Sequence, residues 1–175
     1  MRYLKIALMA GLLLGSACDT RELLTISGEF RQWHPITLTV DGPATNELDD
    51  PNPFTDYRLD VTFVGPSHAT TIPGYYAADG NAGESGAEVG NKWRVHFMPD
   101  EVGVWRYEIA FWNGENIAVS DEPEAGTPAG LHGVRGSFNV APTDKDGRDF
   151  RSKGALCYVG ERYLQFAGTR DWFLK

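Results

Sequence analysis

Lys92-Trp93-Arg94-Val95-His96-Phe97 and Trp105-Arg106-Tyr107-Glu108-Ile109-Ala110-Phe111, separated by Pro99-Asp100-Glu101-Val102-Gly103, decide the fold class. In both runs every second residue is large and apolar, and those between are mostly charged or small. Successive side chains of an extended chain point to opposite faces, so each run has one apolar face and one wetted face. Proline and glycine between them mark a turn, and an antiparallel pair of this kind must bury its apolar face against a second layer.

The same period runs outward from this pair. Ile36, Leu38 and Val40 alternate with Thr37 and Thr39, and Tyr57, Leu59, Val61 and Phe63 alternate with Arg58, Asp60 and Thr62. Shorter candidate strands are Thr70–Ile72, Ser137–Val140, Leu156–Val159 and Tyr163–Phe166. Asp41-Gly42-Pro43, Asp50-Pro51-Asn52-Pro53 and Gly65-Pro66 punctuate them, as residues that leave a ladder or take turn conformations do. Residues 77–91 and 113–133 read as long loops, and no run carries the 3.6-residue period of a three-turn helix. Seven or eight short strands between turns predict an all-β fold, an immunoglobulin-like antiparallel β-sandwich with a short C-terminal β-hairpin extension. Its expected core is Tyr57, Leu59, Val61, Phe63, Trp93, Val95, Phe97, Trp105, Tyr107 and Ile109. With 175 residues and 42% hydrophobic content, the chain is large enough to hold that core without a disulfide framework.

The first residues follow another logic. Arg2 and Lys5 precede the apolar run Ile6–Leu14 and the small residues Gly15-Ser16-Ala17, the pattern of a secretory signal peptide over 1–17. The run is shorter than the roughly 20 apolar residues that a membrane-spanning helix needs. Leu14-Gly15-Ser16-Ala17-Cys18 resembles a bacterial lipobox, with Gly15 where the usual leucine would stand. Lipidation of Cys18 and plain secretion both remain open, so the expected location is exported, as an envelope lipoprotein or free. Cleavage would leave 14 basic against 24 acidic residues, a formal charge of −10. That balance speaks against nucleic acid, and against any membrane contact beyond a lipid anchor. Cys157 is then a lone cysteine, expected to be a buried small apolar residue.

Asn52-Pro53-Phe54-Thr55-Asp56, Ile72-Pro73-Gly74-Tyr75-Tyr76 with Asp79-Gly80, Trp93-Arg94-Val95-His96-Phe97-Met98-Pro99 and Gly103-Val104-Trp105-Arg106-Tyr107, in that order, resemble the DUF5060 family. This is an immunoglobulin-like module at the N-terminus of proteins classed as glycoside hydrolases. The tail, Tyr163-Leu164-Gln165-Phe166-Ala167 to Trp172-Phe173-Leu174-Lys175, looks like the passage from that module into a (β/α)8 barrel. The resemblance implies a sandwich over 28–142 behind a tether at 18–27, then a linker and hairpin over 143–175 leading into a barrel that the sequence does not include. It implies no catalytic residue for this chain, whose expected partner is that barrel in the same polypeptide.

The residues themselves agree with a non-enzymatic reading. Glu47, Asp49, Asp50 and Asp56 cluster in sequence, but a glycosidase pair needs two carboxyls held at a defined separation, and these sit among loop prolines. A calcium site there lacks EF-hand spacing. His34, His68, His96 and His132 are scattered, so neither metal nor cofactor is expected. Trp93, Trp105, Tyr107 and Phe111 fall on apolar faces and read as core. Trp33, Tyr75, Tyr76, Trp112 and Trp172 are the candidates for contact, either with the barrel or with polysaccharide stacked on their rings. A planar exposed row would favour sugar, and a patch beside the C-terminus would favour docking.

Overall fold

The computed structural model describes residues 23–123, 125–160 and 162–173. The expected signal peptide and Cys18 lie outside them. The strands are β1 (Leu24–Gly28), β2 (Ile36–Asn46), β3 (Tyr57–Val64), β4 (Ala69–Pro73), β5 (Tyr75–Tyr76), β6 (Val89–Phe97), β7 (Gly103–Asn113), β8 (Thr127–Pro128), β9 (Arg135–Val140), β10 (Leu156–Tyr158), β11 (Leu164–Phe166) and β12 (Trp172–Phe173).

Two antiparallel sheets form the sandwich. One has the order β1-β2-β6-β5. The other runs β4-β3-β7, with β8 and β9 sharing the far edge of β7. When β1, β2, β3, β5, β6, β7 and β9 are taken as strands A to G, the sheets are A-B-E-D and C-F-G, the immunoglobulin arrangement, with β4 added at the edge beside β3. The period-two pattern sets the register. Ile36, Leu38 and Val40 pair with Phe97, Val95 and Trp93. Leu59, Val61 and Phe63 pair with Phe111, Ile109 and Tyr107. All twelve are buried. The sheets meet through aromatic rings. Phe63 stacks on Phe97 with centroids 4.1 Å apart, while Phe97–Trp105 and Trp93–Phe111 meet edge to face at 4.9 Å. Of the ten expected core residues, nine are buried and Tyr57 packs partly buried against them.

Several local expectations are corrected. Leu24–Ser27, assigned to a tether, form with Gly28 the edge strand β1, which pairs with Ile36–Val40. Leu24 and Ile26 pack partly buried against the core, and their short alternation next to the signal segment hid the strand. The strand expected to stop at Asp41-Gly42-Pro43 continues to Asn46 through an irregularity between Asp41 and Thr45. Gly42 is required there, because a Cβ would lie 2.6 Å from the Trp93 ring and 2.7 Å from Phe111. The long loop at 77–91 holds a helical turn, Ala82–Ser85, and is cut short by the start of β6 at Val89. The loop at 113–133 holds a 3-10 turn, Ile117–Val119, and β8. Cys157 is exposed. It lies on the face of β10 opposite Leu156 and Tyr158 and borders an open cleft toward the sandwich.

Candidate functional site

The five contact aromatics do not share a surface. Trp33 is buried at 9% exposure, wedged between the sandwich and the C-terminal sheet. Tyr76 is buried, and its hydroxyl donates to the Thr45 carbonyl at 2.5 Å. Neither offers a free ring face. Tyr75, 45% exposed, stands on β5 with its hydroxyl 2.9 Å from His96 Nε2. Trp112 points outward from β7 on the other sheet, half-buried with His132 against it at 4.2 Å. Trp172, 49% exposed, lies on β12. The free rings thus belong to three different sheets.

Tyr75 contributes to a cleft of about 210 Å³ where the chain crosses from β4 to β5. Phe54, Tyr57 and Tyr75 supply rings, Pro53 and Pro73 supply rigid walls, and Asp60 and Arg58 supply charge. Arg58 Nε lies 3.3 Å from an Asp60 oxygen. Its terminal nitrogens donate to the carbonyls of Ser120, Glu122 and Pro123, which pins the loop after β7. Burial raises the Asp60 carboxyl above its ordinary value, opposed by the Arg58 charge. Exposed rings beside a partly desolvated carboxylate suit a ligand with both apolar faces and hydroxyl donors.

Exposed apolar side chains also gather near the C-terminus. Strands β10, β11 and β12 form a small antiparallel sheet in which Leu156 pairs with Phe166, and Leu164 pairs with both Tyr158 and Phe173. Paired residues share a face, so Leu156, Tyr158, Leu164, Phe166 and Phe173 line one side. Phe150, in the 3-10 turn Phe150–Ser152, covers one end of that side. It meets Phe166 and Phe173 edge to face at 5.2 and 5.7 Å. Asp149 caps this turn by accepting from Arg151 N at 2.9 Å, and the Arg151 guanidinium holds its carboxyl down at about 2. The other end of the face is open, with Tyr158 73% exposed and Leu164 beside it exposed too. Phe150 extends the exposed apolar surface of this face, whereas Trp172, which pairs with Gln165, is exposed on the opposite face of the sheet.

A family model described as "Domain of unknown function (DUF5060)" matches residues 29–112. Those residues are similar to the DUF5060 family. The match takes in β2 through β7, while β1, β8, β9 and the C-terminal sheet lie outside it. Among solved structures, that of a putative glycoside hydrolase from Bacteroides vulgatus ATCC 8482 is 26% identical, with a TM-score of 0.47, covering 81% of this chain. The chain spans 20% of that protein's length. No curated protein matches it.

Within the matched residues the acidic loop is structural. Asp49 accepts from Asn46 N at 2.8 Å. Asp56 accepts from Asn116 N at 2.9 Å and Asn52 N at 2.8 Å, and these bonds, that from Asn116 foremost, hold its carboxyl below the ordinary range. Asp56 therefore ties two loops together, as a carboxylate facing backbone N–H groups does. Sequence reasoning passed over Phe54 and Asp60, the first for its loop prolines and the second as the wetted side of a strand. It also missed the convergence of Glu29, His34 and Asp144, which approach only because Ala141 bridges Arg31.

Proposed function

We propose that the chain is a non-catalytic accessory module of an exported glycoside hydrolase, and that its C-terminal sheet docks on a downstream (β/α)8 catalytic barrel of the same polypeptide. The observation that carries this reading is the half-covered apolar face of β10–β12, where Tyr158 and Leu164 lie open beside a Phe150–Phe166–Phe173 cluster. Contiguous exposed apolar surface of this kind marks an interaction site. Burying each such side chain contributes roughly 1.5–3 kcal/mol. The family resemblance supplies the class of partner, and export through residues 1–17, with or without lipid on Cys18, belongs to the same proposal.

Docking predicts that amides of residues 163–173 exchange at least tenfold more slowly in a parent protein carrying the barrel than in the chain alone. Hydrogen exchange with mass spectrometry measures both. Equal protection would remove the docking reading, because the sheet would then complete its burial within this chain.

The cleft at Tyr75 favours a second reading, binding of a polysaccharide chain through aromatic stacking, with Asp60 accepting from sugar hydroxyls. Affinity electrophoresis in gels cast with soluble polysaccharides checks it. The expected result is retardation in at least one glycan, abolished by Phe54→Ala and by Tyr75→Ala. Retardation that persists in both variants would place binding elsewhere.

A further inference from the structure

We propose that Glu29, His34 and Asp144 form a binding site for a divalent cation of the zinc class, joining the turn before β2 to the segment after β9. The three side chains place one potential ligand atom each within 4.8 Å of one another. The decisive member is His34, only 1% exposed. Its Nδ1 lies 2.9 Å from the Gln32 carbonyl oxygen. A carbonyl only accepts, so Nδ1 carries a proton, and Nε2 is the ring atom left to bind a metal. Nε2 has no hydrogen-bond partner. It faces Glu29 Oε2 at 3.4 Å and Asp144 Oδ1 at 3.6 Å. A buried ring nitrogen and two carboxylate oxygens that converge without bonding to one another leave a place for a positive charge between them.

The distances indicate which charge. At 3.4 and 3.6 Å the separations exceed those of a good N–H···O bond. Zinc bonds of about 2.0–2.2 Å at tetrahedral angles set neighbouring ligand atoms about 3.4 Å apart. The surroundings resemble an outer shell. The Gln32 carbonyl fixes the ring tautomer, as partners of metal-bound histidines do. The outward oxygens are also occupied, Asp144 Oδ2 by Arg31 Nε at 3.5 Å and Glu29 Oε1 by Arg151 Nη1 at 3.7 Å. That leaves the inward oxygens facing Nε2. The turn carrying His34 is held on both sides, by Gln32 N on the Ala141 carbonyl and Trp33 N on the Pro99 carbonyl. One imidazole and two carboxylates suit zinc or its first-row neighbours better than calcium or magnesium, which prefer all-oxygen sites.

One group competes. Lys145 Nζ lies 3.0 Å from Asp144 Oδ1 and 3.7 Å from Glu29 Oε2, the same two inward oxygens. The ammonium gathers the carboxylates without bonding to His34 Nε2. A metal entering the site must displace it, and a flexible, partly exposed lysine can swing away.

The test uses the full chain and zinc ion alone, by isothermal titration and thermal unfolding at neutral pH. The expected result is one zinc per chain and a raised melting temperature. Asp144→Asn and Glu29→Gln, both at accessible positions, should each weaken binding at least tenfold. Lys145→Met should strengthen it severalfold, and Cys157→Ser should change nothing. A purely structural ion-pair cluster would respond in the opposite sense to Lys145→Met, by losing stability with no gain in zinc affinity. The proposal is overturned by absence of binding, by binding that survives both carboxylate variants, or by nitrogen NMR showing a doubly protonated His34 ring unaffected by zinc. In that last case a proton fills the gap.

Discussion

Trp93→Ala will cost about 3–5 kcal/mol, the range for deleting a buried tryptophan, against a total stability of about 5–15 kcal/mol for a domain. Trp93 is 2% exposed, and its ring lies among Tyr57, Tyr76 and Phe111 at 5.3, 5.2 and 4.9 Å. Those partners come from β3, β5 and β7, so one side chain joins both sheets at the edge where the chain changes layer. The Gly42 backbone lies against the ring, and the indole N–H donates to the Pro43 carbonyl at 3.2 Å. The irregularity in β2 is therefore shaped around this indole. Alanine would leave a cavity that the pleated backbones on either side cannot collapse into, and would strip a partly buried carbonyl of its donor. Urea denaturation followed by tyrosine fluorescence and circular dichroism measures the loss as a fall in midpoint at unchanged slope. A loss below about 1 kcal/mol would show that the β2 irregularity relaxes into the space, and that Trp93 is filler rather than the joint between sheets.

The sandwich was legible because its central strands obey a local rule. In β2, β3, β6 and β7 one face is buried and the other wetted, so alternation identifies both strand and core face. What was illegible depends on contacts between distant segments. β1 is an edge strand of five residues whose alternation, Leu24 and Ile26, is too short to stand out beside an apolar leader. β5 has two residues, and nothing in Tyr75-Tyr76 states that the first ring faces outward and the second inward. The continuation of β2 past Gly42-Pro43 contradicts the turn chemistry of those residues, and packing against Trp93 and Phe111 overrides it.

The contact residues were legible by type and not by place. Trp33 looks like any loop aromatic, yet it is buried because a segment far along the chain covers it. The open end of β10–β12 was foreshadowed by the density of apolar residues near the C-terminus, since so much apolar surface in a short sheet cannot all be covered. The His34 cluster gave no signal, because neither the ring's isolation nor the approach of Asp144 is written in local spacing.

Trp33→Ala will release the C-terminal sheet from the sandwich while leaving the sandwich folded. Trp33 adopts a left-handed backbone (φ 64°) and is held by its N–H on the Pro99 carbonyl, which aims the indole at residues 150–168. Gly154 and Gly168 receive it. A Cβ at Gly154 would lie 2.6 Å from Gly168 N and 3.0 Å from the indole, and one at Gly168 would lie 2.7 Å from the Lys153 carbonyl oxygen and 3.3 Å from the indole, so the two backbones meet closely with the ring against both. Gly168 N also bonds the Lys153 carbonyl at 2.9 Å, tying the two glycine segments together under the indole. The sheet β10–β12 is paired only within itself among the described strands, so its attachment rests on side-chain contacts of this kind. Removing the ring takes away a large share of the buried apolar contact at that seam, about 3–5 kcal/mol by the tryptophan-to-alanine scale. Its strands of 3, 3 and 2 residues are well short of the usual five or six, so the sheet depends on its packing against neighbours. Amide exchange in 156–173 should therefore accelerate at least a hundredfold, with little change in β2, β3, β6 and β7, and limited proteolysis should cut first between Thr143 and Gly154. Uniform acceleration across the sandwich would show instead that Trp33 belongs to the main core. Unchanged protection at 156–173 would show that the Phe150–Phe166–Phe173 cluster and the ion pairs of Arg31 and Arg151 hold the sheet without it.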